Sequence, residues 1–320
     1  MRRYLIGGLL GLTTVATALP IPAAAYPDKP IRIIVPVAAG GSTDLVARIF
    51  QMTIDQKKLL PQPLVIVNNG AAGGTVGTRM IKDAEPDGHT LGIWHMGLLT
   101  AAAMGVTDYD HTAFGLVGQV GSIEIGLGVK SDSKIQSLKD LVTEAKARPA
   151  QVSAATNIGL LPHFVPLMFG REAGVEFRWV QAGGGAVRLR SVLGNHTEFS
   201  LFSTPEFVTF GPQGIRPLTV FSEARHPRIP DVPTAKEAGY NFTFSEAILW
   251  LAPKGTPQAR IDVMAKAIEA AMRDDDLKKR YEEQGIDPVY IPGARLKTVL
   301  DQRMAGIKAV AAEVKPEPPK

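Results

Sequence analysis

The residues best suited to chemistry lie in two small-residue turns, Ala39-Gly40-Gly41-Ser42-Thr43 and Gln181-Ala182-Gly183-Gly184-Gly185. Glycine has no Cβ, so a ligand can approach the backbone closely there. Each turn leads into a stretch with helical spacing. The first amides of a helix lack internal partners and sit at the positive end of its dipole. With the hydroxyls of Ser42 and Thr43 and the side-chain amide of Gln181, such turns can seat a carboxylate or a phosphate. Ser42, Thr43 and Asp44 also supply side chains expected to cap the first helix; Asp44 could instead hold a ligand or a bridging water. Further candidates stand near the ends of neighbouring segments: Met96, Thr156 with Asn157, His163, and Phe202-Ser203. Trp94 and Trp250 are candidate cleft walls, because pockets are lined by aromatics. Arg188 and Arg190 are either helix-surface charge or, near the far end of a dicarboxylate, a selectivity element.

Other chemistries find little support. The chain has no cysteine, so disulfides, thiolate metal sites and a cysteine nucleophile are excluded. Gly70 to Gly77 does not have the dinucleotide spacing, and no Gly-Lys-Ser or Gly-Lys-Thr phosphate loop occurs. Those glycines are expected to permit tight packing near the cleft. The six histidines are scattered without a metal-binding pattern. No serine elbow is present. No cofactor and no metal are expected. The net charge of +4 is not gathered into a basic tract, so no nucleic-acid partner is implied.

The elements that would position these turns alternate between strand and helix. Ile31 to Val37 is a buried β-branched run, and Leu45, Ile49 and Met52 then recur at helical intervals. Strands are also expected at 64–68, 90–95, 151–155, 175–180, 198–202 and 217–221. This alternation points to parallel sheet built from βα units, whose carboxyl edges bind ligands. Gly115 to Val129 and Thr243 to Leu251 are two crossings between domains. Thr234-Ala-Lys-Glu237 is a capping box on a short helix closed by Gly239. The expected architecture is α/β: two domains with the ligand cleft between them and two interdomain crossovers. Residues 26–122 and 247–314 would form domain I, and 123–246 domain II. Met1-Arg-Arg, the apolar run to Leu19 and Ala23-Ala-Ala25 make 1–25 a signal peptide, with cleavage near Ala25 and export to the periplasm. Residues 315–320 alternate proline and charge and are expected to be disordered.

Several stretches resemble the receptors of tripartite tricarboxylate transporters, the TctC-like or Bug extracytoplasmic solute receptors. These are Tyr26-Pro-Asp-Lys-Pro-Ile-Arg-Ile-Ile-Val-Pro36, Gly40-Gly-Ser-Thr-Asp44 with Ala47-Arg48, and Gly70 to Gly77. Pro86-Asp-Gly-His-Thr-Leu91, Pro230 to Gly239 and Ala252-Pro-Lys-Gly-Thr-Pro257 continue the match across the mature chain. The resemblance implies a two-domain periplasmic binding protein fold, with the ligand cleft between the domains, and no enzymatic activity. Such a protein would hold a small carboxylate, a di- or tricarboxylate or an aromatic one, between the first turn and its counterpart in the second domain. It also implies delivery, as a monomer, to a two-subunit membrane permease.

Three places depart from the common pattern: Ala39-Gly40-Gly41, Gln181-Ala182-Gly183-Gly184, and Thr156-Asn157-Ile158-Gly159 with Pro162-His163-Phe164. Backbone amides would preserve the carboxylate seat. Leu160, Leu161 and Phe164 could make the far side apolar. The rival readings are a receptor for an ABC importer of amino acids, which calls for a buried acid facing the ammonium group, and a ligand-sensing receptor of a two-component system. A secreted hydrolase is a poorer rival, since elbow and triad are missing.

Overall fold

The computed structural model describes residues 26–314, so the expected signal peptide (1–25) and tail (315–320) lie outside the described residues. The first half runs β1 (Ile31–Val35), α1 (Ser42–Gln56), β2 (Leu64–Asn68), α2 (Thr75–Lys82), β3 (Thr90–His95) and α3 (Gly97–Ala103). A single 17-residue strand, β4 (Phe114–Lys130), follows. The second half holds α4 (Leu138–Ala147), β5 (Ser153–Thr156), α5 (Leu161–Ala173), β6 (Arg178–Gln181), α6 (Gly185–Leu193), β7 (Phe199–Ser203), α7 (Thr204–Phe210) and β8 (Ile215–Val220). The chain returns through β9 (Ser245–Pro253), α8 (Gln258–Arg273), α9 (Asp275–Gln284), β10 (Ile291–Pro292) and α10 (Gly293–Val314).

The strands form one continuous sheet in the order β2-β1-β3-β9-β4-β7-β5-β6, with β8 and β10 also paired to β4. β1 pairs in parallel with β2 and β3, and β5 does so with β6 and β7. Between these parallel sets stand β9 and β4, antiparallel to each other and to their outer neighbours. The sheet is therefore mixed, where alternation alone suggests a parallel one. Two parallel sets facing each other across the middle need antiparallel strands to join them.

Helices cover the sheet because each presents one apolar stripe. In α1, Val46, Ala47, Ile49, Phe50 and Ile54 are buried, and α8 buries Ile261, Met264, Ile268 and Met272. Two short helices, α3 and α7, and the more polar α9 stand outside the elements expected from spacing. Thr234 and Glu237 do exchange capping bonds, Glu237 N to Thr234 Oγ1 at 3.1 Å and Thr234 N to Glu237 Oε2 at 2.8 Å. They close a turn there rather than a helix.

The strand period corrects one expectation about the cleft. Ile93 pairs with Trp250 and Trp94 with Leu249, so the two tryptophans point to opposite faces. Trp250 is fully buried against α1, edge-on to Phe50 at 5.6 Å. It is a core residue and walls no cleft. Trp250→Ala is expected to cost about 3–5 kcal/mol of stability, the usual range for truncating a buried aromatic. Urea unfolding checks this, and a loss below about 1 kcal/mol would mean that the site is not packed as described.

Candidate functional site

The carboxyl ends of β1, β2, β3, β5, β6 and β7 run into helices α1, α2, α3, α5, α6 and α7. Residues at or beside the amino ends of all six helices line one cavity of about 340 Å3. That size suits a small molecule. Helix amino ends from both halves thus point their dipoles at a common space.

The first turn is held by a carboxylate. Gly41 is the cap residue of α1 and no side chain caps it, contrary to the expectation for Ser42 and Thr43. Asp44 works one step earlier: its Oδ2 accepts the Gly40 amide at 2.8 Å and Arg48 Nε at 2.9 Å, and its Oδ1 accepts Asn68 Nδ2 at 2.9 Å. Asn68 also donates to the Val37 carbonyl at 3.2 Å. Asp44 is 2% exposed. Burial opposes its ionisation, yet the bonds from Arg48, Gly40 and Asn68 outweigh this and hold the carboxyl below its ordinary range. Gly40, at φ +85°, takes a backbone conformation that favours glycine and turns its amide toward that carboxylate. Its amide is therefore committed to Asp44. The amides of Ser42, Thr43 and Asp44 come before the first intrahelical bond, Leu45 N to Gly41 O at 3.0 Å. They are the donors a carboxylate can meet.

The Gly70–Gly77 stretch supports this turn from behind. A Cβ on Gly70 would sit 2.8 Å from the Ala38 amide nitrogen, and one on Gly74 2.4 Å from the Trp94 ring. Trp94 lines the cavity, with its ring 3.8 Å from that of His95. His95 Nδ1 stands 2.7 Å from Glu246 Oε1, and both residues line the cavity. The Gly97 amide also donates to the same His95 nitrogen at 2.9 Å. One Nδ1 cannot donate to Glu246 and accept from Gly97 at once, so the imidazole tautomer selects between the two.

Of the residues singled out in the sequence, Ala39, Gly40, Gly41, Ser42, Thr43, Asn157, Gly184 and Ser203 lie along the cavity. Trp94, Arg188 and Gly185 line it too, whereas Met96, Thr156, His163, Gln181, Gly183, Phe202 and Trp250 do not. Gln181 is used between loops: its Oε1 accepts the Ile158 amide at 2.9 Å and its Nε2 donates to Ala182 O at 2.9 Å. Gly183 packs under Val187. Thr156 ends β5 fully buried. His163 sits behind its loop, accepting the Gly159 amide on Nδ1 at 3.2 Å and meeting Trp179 edge-on at 4.8 Å. Met96 is buried with its sulfur 3.5 Å from Arg303 Nη1. Phe202 is buried against Phe207 and Phe210. Phe164 is in the core, whereas Leu160 and Leu161 do line the cavity.

The strand order also changes which loops correspond. β1 and β5 are the central strands of their parallel sets, so the second-half counterpart of the first turn is Thr156–Gly159, after β5. The glycine turn before α6 occupies the place of the Gly70–Gly77 loop instead. Lining residues not singled out as site candidates include His95 on β3, Phe210 and Glu206 on the short α7, and Glu246 on β9. Glu206 had a local signal: Ser203-Thr-Pro-Glu206 is a capping box with proline in the first turn, and both of its bonds form. Glu246 had none. Arg188 is buried at the cavity while Arg190 is exposed. Among the described residues no three His, Cys, Asp or Glu side chains gather where they could hold a metal ion.

A cavity gathered between the carboxyl edges of two parallel strand sets, lined by helix amino ends, is where an α/β sheet protein binds a small molecule. Residues 46–314 match the model of the tripartite tricarboxylate transporter family receptor, and the chain belongs to that family of periplasmic receptors, which are not enzymes. It is 30% identical over 312 residues to protein BugT of Bordetella pertussis, covering 92% of this chain and 93% of that one. The structure of the periplasmic binding protein BugD is 26% identical with a TM-score of 0.82, covering 90% of this chain and 98% of its own. MatC from Rhodopseudomonas palustris, with bound malate, shares the fold at 24% identity and a TM-score of 0.80, covering 89% of this chain and all of its own. No helix among the described residues is long and apolar enough to cross a membrane.

Two consequences are testable. Asp44→Asn leaves one oxygen where three donors converge, so the turn should loosen. Stability should fall by about 1–3 kcal/mol at pH 7. Because the carboxyl is held low in the fold, its contribution is complete above the ordinary carboxylate value of about 3.9 and is lost as pH falls through the lower folded value. Urea unfolding of the two proteins at pH 7 and pH 3 checks this; equal stability at pH 7 would remove Asp44 as the anchor. His163 is the opposite case, because burial pushes its pKa down to about 4. Between pH 6.5 and 4 the unfolded chain takes up a proton that the folded chain refuses, so stability falls with pH. His163→Gln should flatten part of that slope, and an unchanged slope would mean that the ring is reached by water.

Proposed function

We propose that the protein captures a small carboxylate, of the di- or tricarboxylate class and with room for an aromatic ring. The cavity carries this reading: first-turn amides of α1 with no intrahelical partner face a space walled by Leu160, Leu161, Trp94 and Phe210. Preorganised amides at a helix amino end hold an anion without a fixed cation opposite. Ala39, Gly40, Gly41, Ser42 and Thr43 would form the seat, with Asn157, Gly184 and Ser203 across from it.

In this reading residues 26–122 with 247–314 form one lobe and 123–246 the other, and the lobes close over the ligand by hinge motion at the two crossings. The closed receptor delivers its ligand, as a monomer, to the large and small membrane subunits of a tripartite tricarboxylate transporter. Family membership supports that partner and supports export to the periplasm after cleavage near Ala25. The buried Glu246 keeps a second reading in play. An acid in the cavity could face an amino acid's ammonium group, as in a receptor for an importer of amino acids, although His95 already pairs with it.

Thermal unfolding against a ligand panel tests both. A ligand that binds only the folded state raises the midpoint by an amount set by its concentration over its dissociation constant. The panel holds C4 to C6 dicarboxylates including malate, citrate, benzoate, phthalate isomers and amino acids. A rise with one or more carboxylates is expected. Rises with amino acids alone would favour the second reading, and no rise with any carboxylate would overturn the first.

A further inference from the structure

Arg188 has hydrogen-bonding capacity that the fold leaves unfilled. It lines the cavity from α6 and is 7% exposed. A guanidinium carries five N–H donors in a planar fork. Here Nε is buried without a partner. Nη1 donates to the Gly183 carbonyl at 3.4 Å, at the long end of the range. Nη2 stands 3.6 Å from Glu206 Oε1, near enough for charge attraction and too far for a hydrogen bond. Glu206 cannot come closer freely, because its Oε2 accepts the Ser203 amide at 2.9 Å and hydroxyl at 3.1 Å. Its Oε1 also lies against Gly185, where a Cβ would be 1.8 Å away. The Phe202 ring supports the guanidinium, with its centroid 5.9 Å from Cζ. The other acid on the cavity wall, Glu246, has His95 Nδ1 beside it at 2.7 Å.

The result is a buried cation whose charge is balanced by Glu206 but whose donors are mostly unmet. Carboxylate is the group that fills a guanidinium fork two bonds at a time. We propose that Arg188 anchors a second ligand carboxylate, so that the cavity selects dicarboxylates over monocarboxylates, with Glu206 as the resident counter-ion that weakens this anchor. This rests on the carboxylate-receptor reading and adds the residue that sets ligand class. The first carboxylate sits on the α1 amides and the second on Arg188. Glu206 holds the guanidinium charge in place when no ligand is bound and competes with the ligand for it.

Titration calorimetry on the purified protein tests the assignment with succinate, glutarate and adipate against butyrate, valerate and hexanoate. The unsubstituted protein should prefer a dicarboxylate to the monocarboxylate of equal length by about tenfold or more. Arg188→Met should collapse that preference. Arg188→Lys, which keeps the charge and loses the fork, should reduce it several-fold. Glu206→Gln retains the capping box and removes the competing charge, so it should tighten dicarboxylate binding. That gain cannot arise from misfolding and keeps the test decisive if the Arg188 variants fail to fold. Monocarboxylates binding as well as dicarboxylates would overturn the Arg188 assignment alone, as would a Glu206→Gln protein with unchanged or weaker dicarboxylate affinity. Binding of neither set would overturn the carboxylate-receptor reading, and this assignment with it.

Discussion

One strand ties the two halves together. β4 pairs with β9 from Phe114 to Glu124 and with β7 from Ile125 to Val129, while β8 and β10 add to its other edge along the two stretches. Gly118 and Gln119 pair with both β9 and β10, and Gly126 to Val129 with both β7 and β8. The ladder shifts register against β9 near Val117 and Val120 and against β8 between Leu127 and Gly128. Such irregularities bend and twist a strand. A strand so constrained fixes where each parallel set begins, and hence where their carboxyl edges meet. The cavity exists because that shared strand brings the loops after β1, β2 and β3 opposite those after β5, β6 and β7.

At the cavity, backbone and side chains do different work. Asp44 points away from any ligand role and toward the turn itself, taking the Gly40 amide and leaving the amides of Ser42, Thr43 and Asp44 for something else. A buried carboxylate with three donors is stable only because those donors are all present, and they come from β2, α1 and the turn. The anion seat is therefore fixed by an anion of the protein. Gln181 behaves likewise, bonding two second-half loops together rather than presenting its amide to a ligand. What remains for recognition is a set of main-chain donors, insensitive to ligand identity, and a few side chains that are not.

Much of this was legible in the sequence, and for traceable reasons. β1, the first glycine turn and α1 could be read directly, because a β-branched run, small residues and an apolar stripe each obey a local rule. The family resemblance rested on short segments in fixed order. Side-chain direction at the cavity was harder. Trp250 and Trp94 look alike as strand residues, and only their register, Trp250 against Ile93 and Trp94 against Leu249, separates core from wall. Thr156, His163 and Phe202 stand beside true lining residues and turn the other way. The matching of loops also needed strand order: sequence similarity linked the two glycine turns, whereas topology matches the first turn to Thr156–Gly159. Short helices such as α3 and α7 carry too few residues for periodicity to show. Glu206 came with its capping box, but nothing local linked it to Arg188.

The glycines from 70 to 77 illustrate how far composition constrains a site without touching a ligand. A Cβ at Gly70 would strike the first turn, and one at Gly77 would come 2.5 Å from the Asn69 carbonyl and 2.8 Å from Pro36 Cα. One at Gly73 would strike the other half of the molecule, 2.2 Å from Leu160 Cδ1 and 3.1 Å from Asn157 Nδ2. The same loop is thus pressed on two sides, by β1 and its turn behind and by the start of α5 in front. Larger residues would separate the halves or displace the turn, and either change would open the cavity. Close approach of the two halves at Gly73 places Leu160 and Asn157 over the edge of the cavity, so the residues that meet there also bound the ligand space. The small side chains in this loop are accounted for by packing, and the chemistry of recognition falls to the amides of α1 and the charged groups opposite.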